Sequence, residues 1–490
     1  MRFAAQCGFR QTAALNINHS DTMPPLSRRS FIAAATAFAA APALGAVPAS
    51  GEVDVIIVGA GAAGIAAARR VAAAGRRFAL IEASDHIGGR CITDTATFGV
   101  PYDRGAHWLY TPATNPLSKI AGGTGLDVYA APRGQKMRVG PRAAREGELE
   151  DFLAAQVRAN RAIVEAARGR TDPAAARALP NDLADWRPTV DFVLGPFRNS
   201  KDLSQISAMD FARAPERETA DFCRQGVGAL LGKFVAGVPA RLSTPVTSIE
   251  WQRGLEVETD KGRLRAPACI VTVSTGVLAS GKIKFTPELP DRQRTAIAAL
   301  SLGSYDHIAL ELPGNPFGLQ ADDLVFEKSS SNRTGALIAR VSGTDLHVVS
   351  AGGTFGRDLS AQGQDAMVAF ALDWLASIFG ASVKNKLKRR HATHWNAEPW
   401  VMGASSGASP GNQDARRVLM APLREHLWFA GEAAHETLYG TVGGAWESGT
   451  RAAEAALRKI GALKEPVVEK TKERPAPPRR RRRRRRDEDE

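Results

Sequence analysis

Two short apolar runs, separated by an alanine-rich stretch, stand at residues 53–58 and 78–81. Val53 to Val58 is almost continuously apolar, the pattern of a strand buried on both faces. Phe78 to Ile81 repeats it. The intervening residues predict a helix over about Ala62–Ala74. Between the first run and that helix, Gly59, Gly61 and Gly64 fall at GxGxxG spacing. Gly59 allows a tight turn, Gly61 lets a backbone approach a pyrophosphate, and Gly64 lets the helix pack on the strand. The helix would aim its first N–H groups at that phosphate, placing Ala60 and Ala62 beside it. Glu82, with Ala83 after it, closes the second run about 20 residues beyond the glycines, where a ribose hydroxyl needs an acceptor. Strand, glycines, helix, strand and acid in this order predict a dinucleotide site. Gly88-Gly89-Arg90 follows, and an arginine there can fork onto phosphate oxygens.

Farther along, residues 142–222 place apolar side chains at helical spacing, among them Phe152, Val157 and Ile163-Val164. They predict several amphipathic helices, interrupted by prolines at 173, 180, 188, 196 and 215. Val246–Ile249, the alternating Leu255–Glu258 and the apolar Ala268–Val273 predict strands. Residues 305–313, 324–327, 335–341 and 346–350 predict strands of a separate sheet. Gln364–Phe379 predicts a helix, Leu427–Glu432 a strand ending in glycine and acid, and Gly440–Ile460 contains the last long helix. The expected division is a discontinuous nucleotide domain at 50–130, 223–285 and 392–462. A second domain takes 131–222 and 286–391.

Composition changes this picture only at the ends. The 490 residues carry a formal charge of +13, but Arg479 to Arg486 are eight consecutive arginines. That Pro/Arg-rich tail, 463–490, is expected to be disordered. Its run ends in Asp487-Glu-Asp-Glu490 and lies outside the fold, so the body gives no reason to expect specific nucleic-acid binding. Residues 1–49 contain Ser27-Arg28-Arg29-Ser30-Phe31-Ile32, a twin-arginine pattern, then an apolar segment and small-residue cleavage positions. This leader predicts use of the twin-arginine export machinery and a periplasmic or secreted protein; Met23 offers an alternative start. The segment is too short for a stable membrane span. Cys7, Cys91, Cys223 and Cys269 match no metal motif and read as buried or free thiols; no metal is expected.

Further motifs lie at Gly105-Ala-His-Trp108, Thr275-Gly-Val-Leu278 to Phe285-Thr-Pro-Glu-Leu-Pro290, Trp395 with Glu398-Pro399 and Gly403, Phe429-Ala-Gly-Glu432, and Tyr439-Gly-Thr-Val442-Gly-Gly-Ala445-Trp-Glu-Ser-Gly449. Together, over roughly 53–462, they resemble the flavin-containing amine oxidase family of monoamine, polyamine and spermine oxidases and lysine-specific histone demethylases. The resemblance implies an α/β fold: a glutathione-reductase-like FAD-binding Rossmann domain with an interleaved α+β substrate domain. It also implies non-covalent FAD, because the covalent-flavin cysteine of monoamine oxidases would fall at Ala404. Glu82 would hold the adenosine ribose. Gly89, Arg90 and the Gly105–Trp108 backbone, including Ala106 and His107, would contact the pyrophosphate and flavin edge. Val246 would meet the adenine end. Gly431 and Glu432 would bind the ribityl chain, and the helix opening at Thr441, Val442 and Ala445 would face flavin O2/N1. Trp395 would pack near the isoalloxazine.

Three departures from the family pattern stand out. His307 falls where members commonly carry a lysine that holds a water at flavin N5. Histidine can hold a water, with a charge that depends on pH near neutrality; an edge-strand histidine is the other reading. Ser405 and Thr441 fall where many members have two aromatic rings flanking the amine. Ala404 replaces the covalent cysteine. The expected activity is FAD-dependent oxidation of a monoamine or polyamine to an imine, with O2 reduced to hydrogen peroxide and His307, Trp395 and Thr441 at the reacting end. Other flavin enzymes of the superfamily remain alternatives: amino-acid oxidases, or desaturase- and protoporphyrinogen-oxidase-like enzymes. An amino-acid oxidase calls for an arginine to receive the carboxylate, and the sequence assigns none.

Overall fold

The computed structural model describes residues 51–214, 217 and 219–464, so the twin-arginine leader and the arginine tail lie outside the described residues. At its centre is a five-stranded parallel sheet. The strand order is Ala240–Arg241, Phe78–Ile81, Val55–Val58, Cys269–Val271, Leu427–Phe429. Burial on both faces explains the continuous apolar run. Val55 and Ile57 pack with the helices on one side, while Ile56 and Val58 pack with a second sheet on the other. The helix Ala62–Ala73 follows the first strand, and the final helix Val442–Lys459 crosses it. The crossing is close: a Cβ on Gly449 would come within 2.0 Å of the Ala63 carbonyl oxygen.

On the opposite face lies a sheet of Gly51–Glu52, Gly262–Ala266, Leu255–Thr259, Val246–Glu250 and Lys284–Thr286. A third, seven-stranded sheet runs Arg389–Ala392, Tyr305–Glu311, Leu346–Gly352, Ala336–Ala339, Asp323–Glu327, Lys136–Val139, Arg142–Ala143. The four strands expected for it are all present. Its outer strands were not expected: Arg389–Ala392 and Arg142–Ala143 are short and charged, and the alternation of Lys136–Val139 spans only four residues. Helix Gln364–Phe379 contributes to one core against this sheet, and helices Glu146–Ala166 and Arg187–Phe192 to another.

The 142–222 tract is less regular than its periodicity predicts. Short 3₁₀ turns and a π turn at Val193–Phe197, which contains Pro196, join the helices, and the tract ends in a strand, Ala220–Cys223. Val157 is not on the buried stripe. Phe152, Ala155, Ala159 and Ile163 form that stripe at steps of three and four, leaving Val157 56% exposed. Cys91, Cys223 and Cys269 are free and buried. Among the described residues no helix is long and apolar enough to cross a membrane, and no cluster of His, Cys, Asp and Glu is arranged to hold a metal ion.

Candidate active site: a nucleotide cradle and an adjoining pocket

The carboxyl ends of the central parallel strands open on one long cavity, where ligands of open α/β sheets bind. Gly59, Gly61, Ala62, Glu82, Ala83, Gly89, Arg90, Gly105, Ala106, His107, Trp108, Val246, Gly431, Glu432, Thr441, Val442 and Ala445 all line it, together with His307 and Trp395. Ala60 and Gly64 do not. The Ala60 N–H donates to Glu82 Oε2 at 2.7 Å, and its side chain is buried in the core. Gly64 serves packing alone, since a Cβ there would sit 1.8 Å from the Gly59 carbonyl oxygen. At Gly61 a Cβ would meet nothing nearer than 3.9 Å, so the space before that backbone is open. That open cradle, facing a helix N-terminus, fits a pyrophosphate.

Glu82 is buried at the end of its strand. Its Oε1 accepts from the Ser84 N–H and hydroxyl, both at 2.9 Å. At the other end of the chain, Glu432 Oε1 lies 3.1 Å from Arg90 Nη1. Arg90 also donates to the Ala404 carbonyl. Glu432 accepts from the Ser406 N–H and hydroxyl and from the Gly440 N–H at 3.0 Å. Behind it, Arg416 is wholly buried and bonds Asp210 through Nε and Nη2, both at 2.8 Å. Its Nη1 donates to the Ser406 hydroxyl at 3.0 Å, and its guanidinium carbon stands 3.7 Å from the Tyr439 ring centre. Burial opposes its charge, but the Asp210 carboxylate overrides that and raises the Arg416 pKa.

Trp395 is fixed at both ends: its backbone N–H donates to Asp306 Oδ1 at 2.9 Å and its Nε1–H to the Arg104 carbonyl at 3.1 Å. Burial raises the pKa of Asp306. His307 follows on the same strand. Its Nδ1 lies 3.1 Å from the Asp103 carbonyl, which can only accept, so Nδ1 carries the proton and Nε2 the lone pair. Burial pushes the His307 pKa down to about 4, against the smaller opposite pull of that carbonyl. The expectation of a charge that switches near neutrality is therefore corrected: His307 is a neutral acceptor at pH 7. His107 is turned to Asp103, with Nδ1 3.0 Å from Oδ2. Thr441 caps the last helix by accepting from the Gly444 N–H at 2.9 Å, so the first turn of that helix opens on the cavity beside Val442. Cys91 also lines the cavity, but burial pushes its thiol up to about 12, leaving it protonated.

Sequence reasoning missed part of the pocket wall. Phe197, Arg198, Ser200, Arg217 and Tyr305 line the same cavity. Most come from the irregular tract, where a charged residue between prolines and acids looks like surface.

A glycine cradle, a strand-terminal acid, an arginine paired with a distant acid and a helix N-terminus around one cavity define an FAD-dependent oxidoreductase. Residues 62–457 match the family model of flavin containing amine oxidoreductases, and the chain belongs to that family. It is similar to polyamine oxidase 4 of Oryza sativa subsp. japonica, 26% identical over 444 residues, covering 83% of this chain and 89% of that protein. Lysine-specific histone demethylase 1B of Mus musculus is 25% identical over 435 residues, covering 81% of this chain and 52% of the demethylase. Cyclohexylamine oxidase from Brevibacterium oxydans IH-35A shares the fold, with a TM-score of 0.71 at 20% identity, covering 84% of this chain and 99% of that one. Putrescine oxidase bound to putrescine gives a TM-score of 0.71 at 20% identity, covering 83% and 99%.

Proposed function

We propose that this enzyme oxidises an amine to an imine and passes the electrons to O2, giving hydrogen peroxide. Membership of the amine oxidoreductase family supports the reaction class, and the observation that carries the reading is the single cavity joining the nucleotide cradle to a pocket walled by Trp395, His307 and Thr441. Bound FAD supplies the two-electron acceptor; the protein supplies position and electrostatics. Gly61 and the first turn of Ala62–Ala73 would hold the pyrophosphate, Glu82 the adenosine ribose, and Arg90 with Glu432 the ribityl side of the cofactor. The first turn of Val442–Lys459 offers N–H dipoles to negative charge that develops on reduction. His307 holds a hydrogen-bond donor, such as water, at Nε2 without adding charge. The substrate amine must arrive neutral, because its nitrogen lone pair is needed to form the C=N bond. The C–H bond beside it breaks, and the imine then hydrolyses to a carbonyl compound.

Peroxide release by the purified flavoprotein across monoamines, polyamines and amino acids tests this, with one peroxide expected per O2 consumed. Anaerobic bleaching of the flavin by none of these compounds would sink it. The leader motif further supports export after folding. Replacing Arg28 and Arg29 together by lysine should leave precursor in the cytoplasm, and an unchanged exported yield would rule that route out.

A further inference from the structure

Resting on that reading, we infer that the substrate amine carries a carboxylate, and that Arg217 receives it. Arg217 lines the cavity next to Gly440: a Cβ built on Gly440 would lie 4.0 Å from Arg217 Nη2. Its guanidinium carbon stands 5.3 Å from the Tyr110 ring centre and 5.8 Å from that of Tyr439, so two aromatic faces hold it. Nη2 donates to the Tyr439 carbonyl at 2.6 Å, and Nη1 reaches the Arg198 carbonyl at 3.4 Å. These two carbonyls engage two of the five N–H bonds a guanidinium carries. Nε–H is buried and has no acceptor. Among the described residues Arg217 has no carboxylate partner; Glu216 and Glu218, beside it in sequence, lie outside them. A cation that lines a ligand cavity and keeps one uncommitted N–H on each of Nη1 and Nη2 can receive an anion, and its planar fork matches a carboxylate.

The rest of the wall agrees. The described acids lining the cavity are Glu82, Glu398 and Glu432. Glu82 and Glu432 bond Ala60, Ser84, Ser406, Gly440 and Arg90 and are given to the nucleotide in the reading above, while Glu398 is exposed. No described acid inside is left for the second ammonium of a diamine. Ser405, near Gly440, presents a hydroxyl that bonds Ser200 at 2.8 Å. Trp108, Tyr110, Phe197 and Tyr305 supply apolar surface for the body of the substrate. An aromatic or apolar α-amino acid matches this layout. In the reaction its Cα–H and N–H bonds break, a C=N bond forms, and O2 takes up the two electrons and two protons as hydrogen peroxide. The 2-imino acid then takes up water and releases ammonia and a 2-oxo acid.

The test begins without turnover. Calorimetric titration of the FAD-loaded enzyme with benzoate should show binding, and with benzylamine much weaker binding. Arg217→Met should weaken benzoate by roughly 100-fold, as loss of one partner of a buried charged contact does. Arg217→Lys should recover only part of this, since it keeps the charge without the fork. Flavin content at the wild-type level certifies that both variants are folded. Absent benzoate binding, or equal binding by wild type and Arg217→Met, overturns the inference. Turnover supplies the second arm. Wild type should prefer L-phenylalanine to phenethylamine, and Arg217→Met should lower that kcat/KM ratio by roughly 100-fold. Oxidation of phenethylamine or putrescine in preference to L-phenylalanine overturns the carboxylate inference and leaves amine oxidation standing. Arg217-dependent benzoate binding with no flavin reduction by any amine or amino acid does the reverse.

Discussion

Gly61 and Gly64 are three residues apart, yet the structure assigns them opposite vulnerabilities. At Gly61 the backbone is extended, with φ of −75°, and a Cβ would meet the Gly88 oxygen at 3.9 Å and Gly89 Cα at 4.0 Å. The fold without cofactor therefore has room for a side chain, and Gly61→Val should change its stability by less than about 0.5 kcal/mol. The methyl groups enter the cradle instead. Displacing a pyrophosphate from two charged hydrogen bonds costs about 3–6 kcal/mol at ~1.5–3 each. FAD should then bind roughly 10²–10⁴-fold more weakly. Gly64→Ala behaves differently: its Cβ would sit 1.8 Å from the Gly59 oxygen and 2.9 Å from the carbon. Strand and helix must separate, at a cost of about 3 kcal/mol or more, with or without cofactor. FAD titration of the apoproteins, followed by unfolding with and without excess FAD, separates the cases. Wild type should gain about 2.7 kcal/mol at 100 times its Kd, Gly61→Val almost none. Wild-type FAD affinity in Gly61→Val, or an apoprotein as unstable as that of Gly64→Ala, refutes the assignment of the open cradle.

Arg416→Met strands the Asp210 carboxylate in the interior and should cost about 3–5 kcal/mol in urea unfolding. Arg416→Met with Asp210→Leu should cost less than the sum of the single changes, and a loss below about 1 kcal/mol for the single variant counts against a buried pair. His307 predicts a pH window. Its folded pKa of about 4 lies below the ordinary 6.5, so as pH falls the unfolded chain protonates first. Its contribution is full above pH 6.5, declines between 6.5 and 4, and is gone below. His307→Gln should flatten the stability profile across that window, leaving the slope due to His347, also depressed to about 4 by burial. An unchanged profile means His307 is not buried neutral.

The nucleotide half of the site was legible because its determinants are local. A strand buried on both faces, three glycines and a terminal acid occupy fewer than about 35 contiguous residues, the size of one βαβ unit. The helix Gln364–Phe379 was readable to its ends because Gly363 and Gly380 bound it. What escaped depends on distance along the chain. Asp210 and Arg416 are 206 positions apart, and each alone resembles a surface charge. Arg217 became a pocket residue only through Tyr110 and Tyr439, which flank its guanidinium. The charge of His307 could not be read from its neighbours in sequence, since the carbonyl and the burial that set it come from tertiary packing. Lys136–Val139 alternates over only four residues, and its parallel partner Asp323–Glu327 lies far along the chain, so no local pattern encodes their register.

The pairing of Arg90 with Glu432 also sets a clock. The two are 342 residues apart, so at ~5–20 residues per second a ribosome delivers the acid roughly 20–70 s after the arginine. Through that interval the Gly61 cradle exists without the wall that closes it. Val55–Val58 waits as well, for Cys269–Val271 and, beyond it, Leu427–Phe429 to complete the sheet. Cofactor capture is thus a closing event in biosynthesis. A chain cut short before Glu432 should stay colourless, whereas one translated through the helix Val442–Lys459 should purify yellow.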